Sequence, residues 1–315
     1  MNVIELIENN GFIPIVDTKS LQTLIDAQTA LSKAGIDVLE VRSDNINPDV
    51  MQKFCEMLKD VVVGVGGVTD AEQAESYKMA GAKYIAAIEP DETFLRNCIE
   101  KDVFIIPDCR TKDKIEHFAD MGINTLRYVY TGPVDLDELD DIGDRFPDIK
   151  LILQTADEPG SIKSYSGRSY ITALAGKWIY SSDMAADERY EEITQKAAAM
   201  MRELLNFRIA HVGINADNET QARDISGVFS KILDMSAEEE ATSFFVSSLI
   251  EVNKTPGRGE HGHIGILAPN IKRAVYHIQK RGYEIDITPL IDGVRGPLYL
   301  HTEVGGFAIH LVQKG

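Results

Sequence analysis

Cysteine is scarce in this chain. The three present, Cys55, Cys98 and Cys109, are too scattered for a disulfide framework or a cysteine-based zinc site. That scarcity fits a reducing compartment, and the cytoplasm is the expected location. Long apolar runs are missing too. No stretch approaches the roughly 18 consecutive apolar residues of a membrane span, and the opening MNVIELIENNGF lacks the basic start and cleavage pattern of an export signal. Basic residues are in deficit: 32 Lys and Arg face 50 Asp and Glu, for a net charge of −18. Such a surface repels phosphate backbones and anionic lipid, so neither nucleic acid nor a membrane is an expected partner. A small anionic substrate stays compatible, because a local cluster of cations overrides the global field. What remains is the composition of an ordinary soluble protein, 44% hydrophobic and 26% charged. At 315 residues, two domains are expected.

Two patterns alternate through residue 205. Short β-rich runs stand at 12–16, 36–41, 61–65, 84–87, 104–106, 125–128, 151–154 and 170–174, and segments of helical period lie between them. Three of those segments stop alike, at Gly35, Gly81 and Gly122, where glycine takes the left-handed turn that ends a helix. The strands are too apolar to be half exposed, which suits a parallel sheet covered by helices. Eight such units predict an α/β fold, a (β/α)8 TIM barrel over 1–205. A smaller α+β domain of paired βαβββ modules follows over 206–315, its first copy shortened, with a mobile loop expected at 253–262.

Six of the seven histidines fall after residue 210. Alternation along four strands puts Ile209, His211 and Gly213 on one face, and likewise Leu249 with Glu251, His261 with His263 and Gly265, and Ala308 with His310 and Val312. The opposite faces are apolar, ready for helices. A curved sheet pointing three imidazoles and one carboxylate inward would form a metal cup suited to Zn, Ni, Fe or Mn. His261, His277 and His301 are single features with no chemical reading, and Glu303 is a reserve ligand or base beside His301.

The stretches HVGI at 211–214, IEV at 250–252, GHIGI at 262–266 and AIHL at 308–311 resemble the vicinal oxygen chelate family, which includes glyoxalase I, methylmalonyl-CoA epimerase and extradiol dioxygenases. The resemblance spans 208–313 and implies His211, Glu251, His263 and His310 as the ligands of a divalent metal. It also implies chemistry in which the ion holds two neighbouring oxygens of a small molecule, to stabilise an enediolate or to activate oxygen. The last ligand position is more often Glu in that family and is His310 here.

In the barrel, FIPIV at 12–16, AGIDVLEVR at 34–42, VVGVGGV at 62–68, FIIPDCRT at 104–111 and AGKW at 175–178 resemble the 2-keto-3-deoxy-6-phosphogluconate and 4-hydroxy-2-oxoglutarate aldolase family. The resemblance implies a trimeric barrel in which a strand-six lysine forms a Schiff base with a 2-oxo acid and a strand-two glutamate moves protons. Glu40 matches that glutamate, but Arg127 stands at the lysine position. A guanidinium stays protonated and is a poor nucleophile, so the iminium route cannot run on Arg127. Other departures are Gly67 for a carboxylate-binding threonine, TADEPG at 155–160 for a phosphate loop, and Gly176-Lys177 for a glycine-serine motif.

The expected barrel site is a charged mouth of Glu40, Arg42, Arg110, Arg127 and Lys177 at the C-terminal ends of the strands, with Lys83 and Lys150 at the opposite end. Inward charge is expensive unless paired, so Glu40 and Arg127 are either a buried ion pair or an anion site. The expectation is the site, with Arg42 and Arg127 holding a carboxylate through paired hydrogen bonds. Two functions follow. One is an aldolase-type lyase for a 4-hydroxy-2-oxo acid, with Lys177 as a relocated amine. The other is a barrel that binds anions and trimerises, with a metal-dependent isomerase, epimerase or glyoxalase-like lyase in the C-terminal domain.

Overall fold

Strands that are apolar on both faces need cover on both, and closing them into a ring inside a shell of helices supplies it. The computed structural model describes residues 2–130, 132–155, 162–291, 293 and 296–313. It divides into two units, Met1–Leu204 and Leu205–Gly315. In the first, β1 (Phe12–Val16), β2 (Val38–Arg42), β3 (Val62–Val68), β4 (Tyr84–Ala87), β5 (Ile105–Cys109), β6 (Thr125–Tyr130), β7 (Lys150–Thr155) and β8 (Ile171–Gly176) form a closed parallel barrel. Pairing of Phe12 with Leu174 and Ile13 with Ala175 seals β1 to β8.

The helices of this unit are α1 (Val3–Asn10), α2 (Leu21–Lys33), α3 (Pro48–Met57), α4 (Ala71–Met79), α5 (Glu92–Glu100), α6 (Lys112–Asp120), α7 (Leu136–Arg145), α8 (Ser182–Ala186) and α9 (Tyr190–Leu205). Each of α2 to α7 opens on a capping side chain, from Ser20, Asn47, Asp70, Asp91, Thr111 and Asp135 in turn, that accepts a hydrogen bond from a first-turn N–H. Gly35, Gly81 and Gly122 have φ of 88°, 104° and 80°, the left-handed stops expected from the sequence. Helix α1 was not anticipated. A reciprocal cap between Asn2 and Glu5 starts it, and Ile7 joins Ile13, Val38, Tyr84, Ile106 and Ile152 in one buried cluster.

Several strands are bounded differently from the expectation, and two of the differences have a plain local cause. The second begins at Val38 rather than Ile36, because the chain is still leaving the Gly35 turn. The fifth does not stop before Pro107 but continues through Asp108 to Cys109, with Pro107 beside Ala87 in register. That continuation brings a carboxylate into the barrel wall.

In the second unit, β9 (Arg208–Asn215), α10 (Glu219–Leu233), β10 (Ala237–Glu239), β11 (Ser243–Val246), β12 (Ile250–Asn253), β13 (Gly262–Ala268), α11 (Ile271–Lys280), α12 (Thr288–Ile291), β14 (Leu298–Val304) and β15 (Phe307–Gln313) build a mixed sheet ordered β10-β11-β12-β9-β13-β15-β14. One face carries the helices. Ala222 of α10 packs with Phe244 and Val252, and Ala274, Val275 and Ile278 of α11 pack with Ala268, Leu298 and Leu311. The first module is not the shorter one among the described residues. It has three strands after its helix, because the acidic Ala237–Glu239 pairs with β11 as a charged edge strand. The second has two strands after its helices, with an isolated bridge between Ile285 and Leu300. The loop at 253–262 is held by Asn215, whose amide accepts from Gly257 N and Asn253 Nδ2 and donates to Gly259 O, a tether that hydrophobicity patterns do not reveal. No helix among the described residues is long and apolar enough to cross a membrane.

Gly64 faces the Tyr84 ring so closely that an added Cβ would lie 1.9 Å from Tyr84 Cζ. Gly64→Ala is expected to destabilise the barrel by about 1–3 kcal/mol through overpacking. Urea unfolding checks this, and an unchanged midpoint would show that Tyr84 can move aside.

Candidate functional site

The barrel interior is spanned by one side chain. Arg127 leaves β6 and reaches Glu40 on β2, placing Nη1 2.9 Å from both carboxylate oxygens. Its Nε donates to Asp108 Oδ1 on the neighbouring β5 at 2.6 Å. All three residues are buried. Burial works against the guanidinium charge, but Glu40 and Asp108 outweigh it, and Arg127 is held in its charged form. Burial pushes Asp108 above the ordinary carboxylate range, against the pull of Arg127. Gly66 leaves the room Glu40 needs, since a Cβ there would lie 2.1 Å from Glu40 Oε1.

The other residues of the expected mouth are also paired within the chain. Arg42 lies 3.4 Å from Asp44, Arg110 3.8 Å from Glu89, and the half-exposed Lys177 3.6 Å from Asp17. The ion pair weighed against an anion site for Glu40 and Arg127 is therefore present, with Asp108 as an unforeseen third member. The structure does not present Arg42 and Arg127 as a free carboxylate clamp, because chain carboxylates already face both. Beside Lys177, at the C-terminal ends of β1 and β8, a polar cleft of about 330 Å³ is lined by Asp17, Thr18, Thr23, Asn45, Tyr180 and Ser182 among others. Apart from Thr155, the TADEPG stretch lies outside the described residues.

The second unit draws its expected residues together. Across β12, β9 and β13, Glu251, Gly213 and His263 lie in one row, and His211, Gly265 and His310 form a row across β9, β13 and β15. Imidazoles thus alternate with glycines, and the glycines make room: a Cβ on Gly213 would sit 2.1 Å from His263 Cε1, and one on Gly265 2.7 Å from His211 Cε1. His211 Nε2 lies 3.1 Å from His263 Nε2 and 3.2 Å from His310 Nε2. Glu251 Oε2 is 3.1 Å from His263 Nε2 and 3.6 Å from His211 Nε2. His301 pairs instead with Glu284, and Glu303 is exposed outside the cluster.

This donor set fits a divalent ion. One Nε2 carries either a hydrogen or a lone pair, so His211 cannot satisfy two neighbouring Nε2 atoms with one hydrogen. A cation between them would satisfy all three. Nitrogens about 2.0–2.1 Å from one ion lie about 3.0 Å apart at right angles and about 3.4 Å apart at the tetrahedral angle, which brackets the observed contacts. Burial, then the neighbouring imidazoles, lowers His310 to about 4. Burial and His263 also lower His211. Burial alone would raise Glu251, but hydrogen bonds from His263 and Ser243 hold it below its usual value. His211, His310 and Glu251 are therefore in the forms a metal ion would take at neutral pH.

The closed (β/α)8 barrel thus carries Glu40 inside strand two and Arg127 inside strand six. Residues 3–196 match the family described as KDPG and KHG aldolase. The KHG/KDPG aldolase of Escherichia coli is 21% identical over 190 residues, 59% of this chain and 88% of that protein. A 2-dehydro-3-deoxy-phosphogluconate aldolase of Pseudoalteromonas atlantica is 25% identical over 191 residues, 59% of this chain and 87% of that one. Among solved structures, a Legionella pneumophila KDPG aldolase with pyruvate captured as a covalent carbinolamine superposes with a TM-score of 0.54 at 20% identity, covering 62% of this chain and 96% of that one. A Zymomonas mobilis aldolase gives 0.56 at 16%, covering 65% and 100%. The chain belongs to the KDPG and KHG aldolase family. The family match ends ahead of the histidine cluster.

Sequence reasoning missed Asp108, because a strand ending before Pro107 leaves that carboxylate in a loop. It placed Gly213 and Gly265 on the faces of His211 and His263 but gave them no role, and the structure shows that they leave the imidazoles room. Two predictions follow from this geometry. Arg127→Ala leaves two carboxylates buried without their cation and should cost about 3–5 kcal/mol in urea unfolding at neutral pH. The loss should shrink as pH falls, because the orphaned acids then fold protonated. A loss that does not vary with pH would contradict the ion-pair account. Metal affinity, followed by competition with a chelator, should fall as pH is lowered, because protons compete with the ion for the imidazoles, and the last step of the fall should come near pH 4, where His310 takes its proton. An affinity that does not vary between neutral pH and about pH 4 would contradict the cluster.

Proposed function

We propose that this member of the aldolase family carries its chemistry on a divalent-metal centre of the C-terminal unit, of vicinal-oxygen-chelate type, as a metal-dependent isomerase, epimerase or glyoxalase-like lyase. In this reading the barrel is a scaffold that binds small 2-oxo acids and builds a homo-oligomer, a trimer by resemblance. The observation that carries the reading is the convergence of three imidazoles, His211 Nε2 lying 3.1 Å from His263 Nε2 and 3.2 Å from His310 Nε2, with Glu251 beside them.

His211, His263, His310 and Glu251 would hold the ion, Zn, Ni, Fe or Mn by their donor types. When bound, it supplies a Lewis acid that polarises neighbouring oxygens of a hydroxy- or oxo-compound. The chain contributes the rest. Gly213 and Gly265 keep the imidazoles in place by leaving them space. Tyr299, paired in register with His310, sets its ring 5.0 Å from that imidazole and excludes water from one side. In the barrel, Arg127 occupies both oxygens of Glu40, so the carboxylate that would move protons is committed to holding the fold.

A second reading draws on the family match along the whole barrel. It is a carbon–carbon lyase for a 4-hydroxy-2-oxo acid, with Lys177 supplying the amine, Glu40 the proton, and Arg42 and Arg110 the anion contacts. Borohydride reduction of the full chain with pyruvate, followed by peptide mapping, separates the two. The metal-centre reading expects no adduct, whereas an adduct on Lys177 would establish the second. For the centre itself, His263→Ala should take the metal content from near one ion per chain to near zero, and full retention would refute the ligand set.

A further inference from the structure

The loop between β12 and β13 carries Arg258. Its backbone is fixed on both sides of that residue, because the Asn215 side chain accepts from Gly257 N at 3.0 Å and donates to Gly259 O at 2.8 Å. The guanidinium is thereby placed over the Tyr299 ring, with Cζ 4.5 Å from the ring centre. Tyr299 in turn lies against His310. The two spans laid end to end put the guanidinium carbon no more than about 9.5 Å from the His310 ring centre.

Two facts separate this arginine from an ordinary surface cation. Arg258 is exposed, and among the described residues it makes no ion pair, in a chain with 50 acidic residues. The acid whose charge it does influence, Asp286, is engaged by Thr288, whose backbone N–H donates to it at 3.0 Å. A guanidinium held over an aromatic face keeps its N–H donors for a carboxylate, which it can take through two parallel hydrogen bonds.

Resting on the metal-centre reading above, we propose that Arg258 is the anion-recognising residue of that site. It selects small hydroxy- or oxo-compounds that carry a carboxylate at the end remote from the oxygens facing the imidazoles. The substrate class is then a short dicarboxylate or its equivalent. Tyr299 is a positioning residue, since it holds the guanidinium by its ring face.

Cobalt(II)-loaded full-length protein tests this, because the visible spectrum of the ion reports ligands that enter at the centre and is silent to ligands bound in the barrel. Titration with 2-oxoglutarate and with pyruvate compares a dicarboxylate with a monocarboxylate of the same chelating end. The dicarboxylate should bind about tenfold or more tightly, the scale of one charge-assisted pair. Arg258→Ala should bring the ratio close to one, with cobalt content and the pyruvate response unchanged, and Arg258→Glu should reverse the preference. Equal affinities in the parent protein, or a preference that survives both substitutions while cobalt is bound, would overturn the assignment and leave the metal reading intact. A protein that takes up no cobalt would overturn both.

Discussion

Three imidazole nitrogens aimed at one point are the constraint on which the C-terminal unit depends. Lone pairs directed together repel, and hydrogens directed together repel as well. A cation among them would relieve both repulsions, which is the basis of the proposed metal centre, and the sheet leaves room for the cluster. The helices cover only one face, leaving the other to polar groups. Glycine stands in register beside imidazole in both ligand rows, trading strand stability for space. A register shift after Gly265 adds local bending where the ligands meet.

The barrel has gone the other way. The place where its relatives' resemblance implies an amine and a carboxylate for chemistry is filled by an arginine with two acids. Spanning from β6 to β2, Arg127 adds a charged layer to a lumen that Ile13, Val38, Val62, Ile106 and Ile152 also pack. Its partners leave it no free edge toward the mouth on the Glu40 side, and the remaining mouth cations face acids of their own. Family membership describes the frame of this domain. The changed use of its centre belongs to the proposed reading, in which the chemistry resides in the C-terminal unit.

Much of the fold was legible in the sequence because its signals are local and repeated. Alternating β runs and helical segments announced the eight units, and Gly35, Gly81 and Gly122 marked helix ends by a backbone conformation few other residues adopt. The clustering of four side chains was legible for a related reason: a period of two puts His211, Glu251, His263 and His310 on the face of four strands that the helices leave uncovered. What stayed hidden depends on contacts distant in sequence. Asp108 was concealed by Pro107, which ordinarily closes a strand but sits inside β5 here. The tether from Asn215 to the loop at 253–262 spans more than forty positions, and Arg258 has meaning only once β14 is seen to lie beside β15. Helix α1 was passed over because a capped eight-residue helix before the first strand carries little periodicity.

X-ray absorption at the metal edge of the purified full-length chain examines the central claim at atomic scale. The account predicts nitrogen and oxygen neighbours at about 2.0–2.2 Å, with the outer-shell scattering of three imidazole rings. A sulfur shell, fewer than three imidazoles, or an absorbing ion with only water around it would contradict it.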